Sequence, residues 1–160
     1  MKYALMLLAA AVVSAQAPPS AALSVQGDIA APLSLTADDL AKMPRETASV
    51  PAPDGSKIVY EGVTLRALLQ KAGAPFGKQL RGKVLTTYVL AKAMDGYQVI
   101  FTLGELDLDF GNETILIADK RDGKPLPDKQ GPVRLVCPND HEGARSVRML
   151  ETLELVRLAK

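Results

Sequence analysis

Two neighbouring segments in the C-terminal part of the chain restrict its fold more than any others. The first, residues 130–138, is a short apolar run with Gly-Pro near its start and Pro at its end. Such a run, bounded by residues that interrupt regular structure, predicts a short buried strand. The second, residues 143–150, begins with glycine and places Arg145 and Arg148 three positions apart. The sequence therefore predicts a buried strand followed by a segment that carries two guanidinium groups.

The first fifteen residues have the pattern of a secretory signal peptide. A basic start at Lys2 is followed by an apolar stretch, Ala4–Val13, and then by small residues. The apolar stretch is short for a transmembrane helix, which needs about 20 residues. A retained membrane anchor is the alternative interpretation.

Small residues offer two cleavage points, after Ala15 and after Ala17. We favour Ala15, because cleavage after Ala17 would place a proline directly across the scissile bond. Residues 1–15 are then the signal peptide, 16–22 a flexible leader and 23–160 one folded domain. We expect the protein to be periplasmic or secreted, with no membrane insertion after cleavage.

The charge balance argues against a polyanionic partner. Loss of Lys2 lowers the 19 basic residues to 18, against 18 acidic ones. Nucleic-acid binding needs a clear basic excess, so no nucleic-acid partner is expected. Residues 120–160 carry a mild basic bias that suits a small anion. The single cysteine, Cys137, excludes an internal disulfide, and its apolar strand predicts a buried thiol.

Short strands and short helices alternate along the mature chain, which predicts an α+β fold with one mixed-sheet domain. Threonines in cap positions begin three short helices, at Thr36, Thr64 and Thr102. Residues 61–63 are interpreted as the turn into the second helix. Alternating or apolar runs predict strands over 23–29, 32–35, 45–50, 57–60, 85–91, 97–101, 113–118, 133–137 and, by the alternation of its leucines, the tail 146–158.

Several of these segments, in this order, resemble the sulfite-oxidase-type molybdopterin-binding domain family. The Gly-Lys-Pro-Leu-Pro turn at 123–127, the Gly-Pro-Val-Arg-Leu strand at 131–135 and the Gly-Ala-Arg-Ser-Val-Arg segment at 143–148 resemble its closing part. Gly-Val-Thr-Leu at 62–65 and Asp-Gly-Tyr at 95–97 resemble its helix start and a strand entry. The resemblance implies that fold and, in relatives, a bound molybdenum cofactor.

The resemblance also implies a cysteine that is absent. In the family, the protein's ligand to molybdenum is a cysteine thiolate between the first helix and the Gly-Val-x-Leu helix. Here that interval, residues 44–60, contains no cysteine. Cys137 lies on a later strand, and its use as a relocated metal ligand is the alternative. The signal peptide contains no arginine, unlike the twin-arginine signals of proteins exported with a cofactor already inserted. We therefore expect no cofactor.

In the family, basic residues lie near the pterin phosphate, and the resemblance implies that Arg145 and Arg148 occupy the matching positions. With Arg134, His141 and Gly143 they form the predicted binding set. Guanidinium groups suit oxyanions, and a glycine lets a ligand approach the backbone. The alternatives are that the arginines pair with nearby acids, that Arg134 points outward, and that His141 is a surface histidine.

Two other clusters offer weaker candidate sites. Cys137 and His141 could pair as nucleophile and base, but a four-residue spacing with an intervening proline does not ensure that the side chains meet, and a surface histidine is the favoured interpretation. Glu105, Asp107 and Asp109 could share a face and hold a hard cation, although an acidic solvated loop is the favoured interpretation.

Three functional hypotheses follow. The favoured one is an exported, non-catalytic domain that binds a small anion or a protein partner in the former cofactor cleft. The second is a working molybdopterin-dependent oxidoreductase that transfers an oxygen atom to or from a small oxyanion or sulfoxide-like substrate, with a cytochrome as redox partner. The third is a structural or assembly module with an empty cleft.

Overall fold

The computed structural model describes residues 21–158. It contains two five-stranded sheets and three short helices, an α+β architecture. The elements in chain order are β1 Leu23–Gly27, β2 Leu33–Leu35, α1 Ala37–Ala41, β3 Glu46–Pro51, β4 Lys57–Thr64, α2 Leu65–Lys71, β5 Thr87–Ala93, β6 Gln98–Thr102, α3 Leu103–Leu106, β7 Leu116–Arg121, β8 Lys124–Pro125, β9 Arg134–Val136 and β10 Leu150–Arg157.

The first sheet is built around β10. Its strand order is β2-β1-β10-β5-β6, so the last described strand lies in the middle. β10 pairs in parallel with β1 and antiparallel with β5. Leu153 and Leu155 of β10 are buried in the main core, as the alternation of the tail predicts. The prediction of a strand rather than a helix in the tail is confirmed.

The second sheet is built around β7. This strand pairs with β4, β8 and β9, all antiparallel. Both faces of the sheet are covered where β7 meets β9. Ile117 and Leu135 belong to the main core between the sheets, whereas Leu116 and Val136 pack with Tyr60 in a smaller cluster on the other face. A strand covered on both faces carries continuous apolar sequence, which explains the run at 115–118.

All three predicted threonine caps are present. Thr36 and Thr102 each accept the N–H of the residue three positions on, and Asp39 and Glu105 bond back to complete capping boxes. Thr64 accepts the N–H of Ala67 at the start of α2. A capping side chain accepts backbone N–H groups that the helix leaves without a partner. Because these groups lie within three residues of the cap, the pattern can be recognised in the local sequence.

The predicted bounds differ from the observed ones in most strands, and residues 28–29, 113–115 and 146–149, all predicted as strand, lie outside β1, β7 and β10. Residues 61–63 are strand, not turn, because β4 continues to Thr64 and α2 follows without a loop. Residues 85–86 belong to a 3-10 turn, so β5 begins two residues later than predicted. Ala22, assigned to the leader, is buried and donates its N–H to the carbonyl of Leu35 at 2.7 Å.

The predicted signal peptide and most of the leader lie outside the described residues. Within residues 21–158, no helix has the length and apolar character needed to cross a membrane.

Candidate anion-binding site

The segment between β9 and β10 holds most of the predicted site residues. It contains a 3-10 turn, Gly143–Arg145, closed by a bond from the N–H of Ser146 to the carbonyl of Gly143 at 3.0 Å. Buried Val147 anchors the segment on β9, since its carbonyl accepts the N–H of Leu135 at 2.8 Å. The backbone of this segment is therefore fixed on the sheet that carries Arg134.

A pocket of about 250 Å³ opens on this segment, and we call it the arginine pocket. It is lined by Asp95, Tyr97, Gly143, Ala144, Ser146, Val147 and Arg148. The Tyr97 hydroxyl donates to the carbonyl of Ala144 at 2.9 Å and so joins the two sides of the pocket. The backbone at Gly143 borders open space, as a Cβ placed there meets nothing within 4 Å.

Arg148 is the cation in the lining of this pocket. Its side chain is exposed, and no hydrogen bond or ion pair to it occurs within residues 21–158. The guanidinium therefore has free donors for an oxyanion.

Arg134 is outside the lining of the pocket but contacts the lining residue Ser146, and within residues 21–158 it is held only by neutral acceptors. Its guanidinium donates to the Tyr60 hydroxyl at 3.2 Å, to Gln130 Oε1 at 2.8 Å, and to the carbonyls of Leu135 and Ser146 at 3.3 and 3.2 Å. The group also lies 5.1 Å from the centroid of the Tyr60 ring. No carboxylate of residues 21–158 pairs with this half-buried cation.

Burial is the main cause that lowers the pKa of the Arg134 guanidinium. The charges of Arg148 and Arg121 act in the same direction on that pKa, and Tyr60 acts in the opposite direction. Arg121 has a single 3.4 Å contact with the largely exposed carboxylate of Asp122.

Sequence reasoning missed Arg121, Tyr60 and Gln130. Tyr60 on β4 is directly opposite Arg121 on β7, and its hydroxyl accepts a hydrogen bond from Arg134 on β9. Neither position belongs to the motifs quoted above for the closing segment. Strand register, which local patterns do not encode, is what assembles the group.

Arg145 is oriented differently from Arg148. Its guanidinium forms two bonds to the carboxylate of Asp140, at 2.9 and 2.7 Å, and one to Glu105 at 2.7 Å. It also lies 5.1 Å from the centroid of the Phe101 ring. The bond to Asp140 raises the pKa of Arg145, and the same bond lowers the pKa of Asp140. Of the two interpretations of Arg145, ligand binding and pairing with nearby acids, the structure shows the pairing.

His141 and Cys137 do not share this pocket lining. His141 is exposed on the segment. Cys137 is 6% exposed and belongs to the main core with Leu135, on the face of β9 opposite Arg134 and Val136. Burial is the main cause that raises the pKa of the Cys137 thiol, to about 12. The thiol is therefore neutral and enclosed at neutral pH.

The acidic residues of the 105–109 stretch are used within the fold. Buried Asp107 accepts the N–H groups of Gly77 at 2.6 Å and Asp109 at 2.9 Å. Glu105 caps α3 and pairs with Arg145. Within the described part of the chain, no group of three or more His, Cys, Asp or Glu side chains could hold a metal ion.

The family of the chain follows from its sequence as a whole. The model of the oxidoreductase molybdopterin-binding domain matches residues 10–159. The chain belongs to this family. The match covers almost the whole chain, and the resemblance drawn from the motifs is confirmed.

Comparison of structures supports the same fold for this molybdopterin-binding-type domain. The sulfane dehydrogenase SoxCD from Paracoccus pantotrophus superposes with a TM-score of 0.64 at 23% sequence identity. The alignment covers 84% of this chain but 38% of that one, so the chain spans well under half the length of that neighbour. No curated protein matches the chain.

The residues present do not fit the direct metal ligation that the family resemblance implies. The interval 44–60 has no cysteine, and the only thiol in the sequence is enclosed in the core with a raised pKa. A soft metal centre takes a thiolate, not a buried neutral thiol.

Proposed function

We propose that this chain is an exported, non-catalytic domain that binds a small oxyanion beside Arg134 and Arg148, in the cleft where its family binds molybdopterin. The observation that carries the proposal is the half-buried guanidinium of Arg134, which donates only to neutral acceptors within residues 21–158. The oxyanion is free in solution or presented by a protein partner in the periplasm or outside the cell.

The electrostatics of the site favour an anion. Withdrawing a cation from water costs on the order of several kcal/mol unless an opposite charge compensates. Gln130 and Tyr60 supply hydrogen bonds to Arg134 but no negative charge. Asp95 and Arg148 are the charged residues of the pocket lining and balance each other, so the charge of Arg134 remains uncompensated. An oxyanion would supply the missing charge.

The shape of the site is consistent with a small ligand. The arginine pocket holds about 250 Å³, below the roughly 300–1,000 Å³ of clefts that take drug-sized molecules. The open backbone at Gly143 and the side chains of Ser146 and Tyr97 add polar groups around the cation. These groups suit phosphate or sulfate more than an extended organic ligand.

The test is calorimetric titration of the mature protein with inorganic phosphate and with sulfate at low salt. We expect measurable binding, and about tenfold weaker binding by Arg148→Gln, since a charge-assisted contact contributes on the order of 1.5 kcal/mol. Arg81→Gln is the matched control, because it removes the same charge at an exposed position outside the pocket. Absence of binding by the natural sequence, or equal affinity in Arg148→Gln, contradicts the proposal.

Membership of the family supports a second candidate, a molybdopterin-dependent oxidoreductase that transfers an oxygen atom to or from a small oxyanion or sulfoxide-like substrate. It requires molybdenum in the protein and a redox partner such as a cytochrome. Elemental mass spectrometry of protein purified from its native compartment distinguishes the two candidates. We expect no stoichiometric molybdenum. About one atom per chain would replace the anion-binding proposal with the oxidoreductase.

A further inference from the structure

Three charged side chains form a closed group beside the arginine pocket. Arg145 bonds to both oxygens of Asp140 and to Glu105, with distances between 2.7 and 2.9 Å. Its guanidinium also lies over the Phe101 ring at 5.1 Å. These contacts use one donor on each nitrogen of the Arg145 guanidinium, and Arg145 is absent from the pocket lining.

The group joins two parts of the fold that are distant in sequence. Glu105 lies in α3, which follows β6 of the first sheet, and its other carboxylate oxygen caps that helix. Asp140 and Arg145 lie on the segment after β9 of the second sheet. The ion pairs therefore fasten the 140–145 segment onto α3.

The residues next to Arg145 face the ligand side. Ala144 and Ser146 line the arginine pocket. The Ala144 carbonyl receives the Tyr97 hydroxyl, and the Ser146 carbonyl receives the guanidinium of Arg134. A displacement of Arg145 would move both carbonyls, and with them Tyr97 and Arg134.

We infer that Arg145, Asp140 and Glu105 form an ionic latch that holds one side of the anion pocket in place, so that Arg145 is a positioning residue and Arg148 is the ligand residue. The affinity part of this inference rests on the function proposed above. The two arginines of the Gly-Ala-Arg-Ser-Val-Arg motif thus have separate roles.

The direction in which anion affinity changes in Asp140→Asn distinguishes a positioning role of the latch from a purely electrostatic one. The latch contains one positive and two negative groups, so it carries a net negative charge beside an anion site. If the latch acted only through charge, Asp140→Asn would remove a repulsive carboxylate and tighten anion binding. If it positions the pocket, the same change frees Arg145 and weakens binding.

The experiment is titration of inorganic phosphate into the mature protein and its Asp140→Asn variant. We expect up to about fivefold weaker binding in the variant, the range of a partly exposed ion pair. Glu142→Gln is the matched control, since it removes an exposed carboxylate on the same segment and outside the latch, and its affinity should not fall. Equal or tighter phosphate binding by Asp140→Asn overturns the inference.

A double variant checks the charge argument independently. The intact latch has a net charge of one negative unit. The double variant Arg145→Gln, Asp140→Asn keeps this net charge, because only Glu105 remains ionised, but it has lost both ion pairs. We expect this variant to bind phosphate as weakly as Asp140→Asn. Recovery of the natural affinity would mean that the latch acts through charge alone, which overturns the positioning role.

Hydrogen exchange gives a readout that does not depend on anion binding. In Asp140→Asn we expect about fivefold faster exchange of the Ser146 and Val147 amides, whose bonds to Gly143 and Arg145 close the turn. Glu142→Gln should leave these rates unchanged. If the natural protein binds no phosphate, the proposed function fails, and the latch is then judged by exchange alone. Unchanged exchange in Asp140→Asn overturns it.

Discussion

Alternate residues along β9 and the residue after it face opposite sides of the second sheet, and this separates Arg134 from Cys137. Arg134 faces the small cluster around Tyr60, whereas Cys137, three residues on, faces the main core. A ligand held by Arg134 therefore has the backbone of β9 between itself and the thiol. The position of the one cysteine in this fold suits packing and not ligation.

This position predicts an unreactive thiol. In the native protein, Cys137 should react with a disulfide reagent such as Ellman's reagent at least about a hundredfold more slowly than after unfolding in urea. The reason is that the thiol is enclosed and its pKa is raised to about 12, so that the reactive thiolate is scarce. Absorbance at neutral pH measures both rates. Rapid modification of one thiol per native chain would show that the thiol is accessible.

At the scale of single elements, β4 is the strand that brings Tyr60 to the site, and it depends on a glycine. Gly62 lies where the register of β4 and β7 shifts, and a Cβ built there would be 1.9 Å from the carbonyl oxygen of Ile117. Only a residue without a side chain allows the two strands to approach this closely. The glycine is needed for strand pairing and not for a turn.

Gly62→Ala should therefore destabilise the protein by about 2–3 kcal/mol, because the clash is with backbone and the strands must separate. Gly104→Ala is the control. A Cβ there has its nearest neighbour at 3.9 Å, and alanine favours the helical conformation of α3. Urea denaturation measures both changes. Equal stability of the two variants would contradict the close approach at Gly62.

Elements with local signals were predictable from the sequence, and elements defined by distant pairing were not. The caps at Thr36, Thr64 and Thr102 follow from side-chain chemistry within one helical turn. The strand at residues 61–63 could not be predicted in this way, because a glycine before a helix has the same local pattern in a turn and in a bulged strand. In the site, Arg134 and Arg148 were predicted by motif, whereas Tyr60 and Arg121 are neighbours only through the register of β4 and β7.

The molecule as a whole has one main core, enclosed between the two sheets. It contains residues from β1, β4, β5, β7, β9 and β10 and from the helices. The arginine pocket lies where segments from both sheets meet, with Tyr97 beside β6 and Ser146 after β9. The relative placement of the two sheets therefore sets the geometry of the pocket.

Truncation of a central core residue tests this arrangement. Leu153→Ala on β10 should lower the free energy of unfolding by about 2–5 kcal/mol, because a fully buried leucine in the middle strand is lost. Leu158→Ala, at a position 59% exposed beyond the end of β10, should change it by less than about 0.5 kcal/mol. Thermal and urea unfolding provide the measurement. Similar losses in both variants would contradict the central place of β10.

The parallel pairing of β1 with β10 has a consequence for the order in which the fold is made. Ser24 and Thr152 bond to each other across 128 positions of the chain. During synthesis the N-terminal end of the chain is made first. One edge of β1 pairs with β2, but its other edge stays unpaired until β10 has been made. Pairing over so long a separation is slow, so the first sheet is completed late. A newly made chain would therefore keep the first sheet open until its C-terminal strand is available.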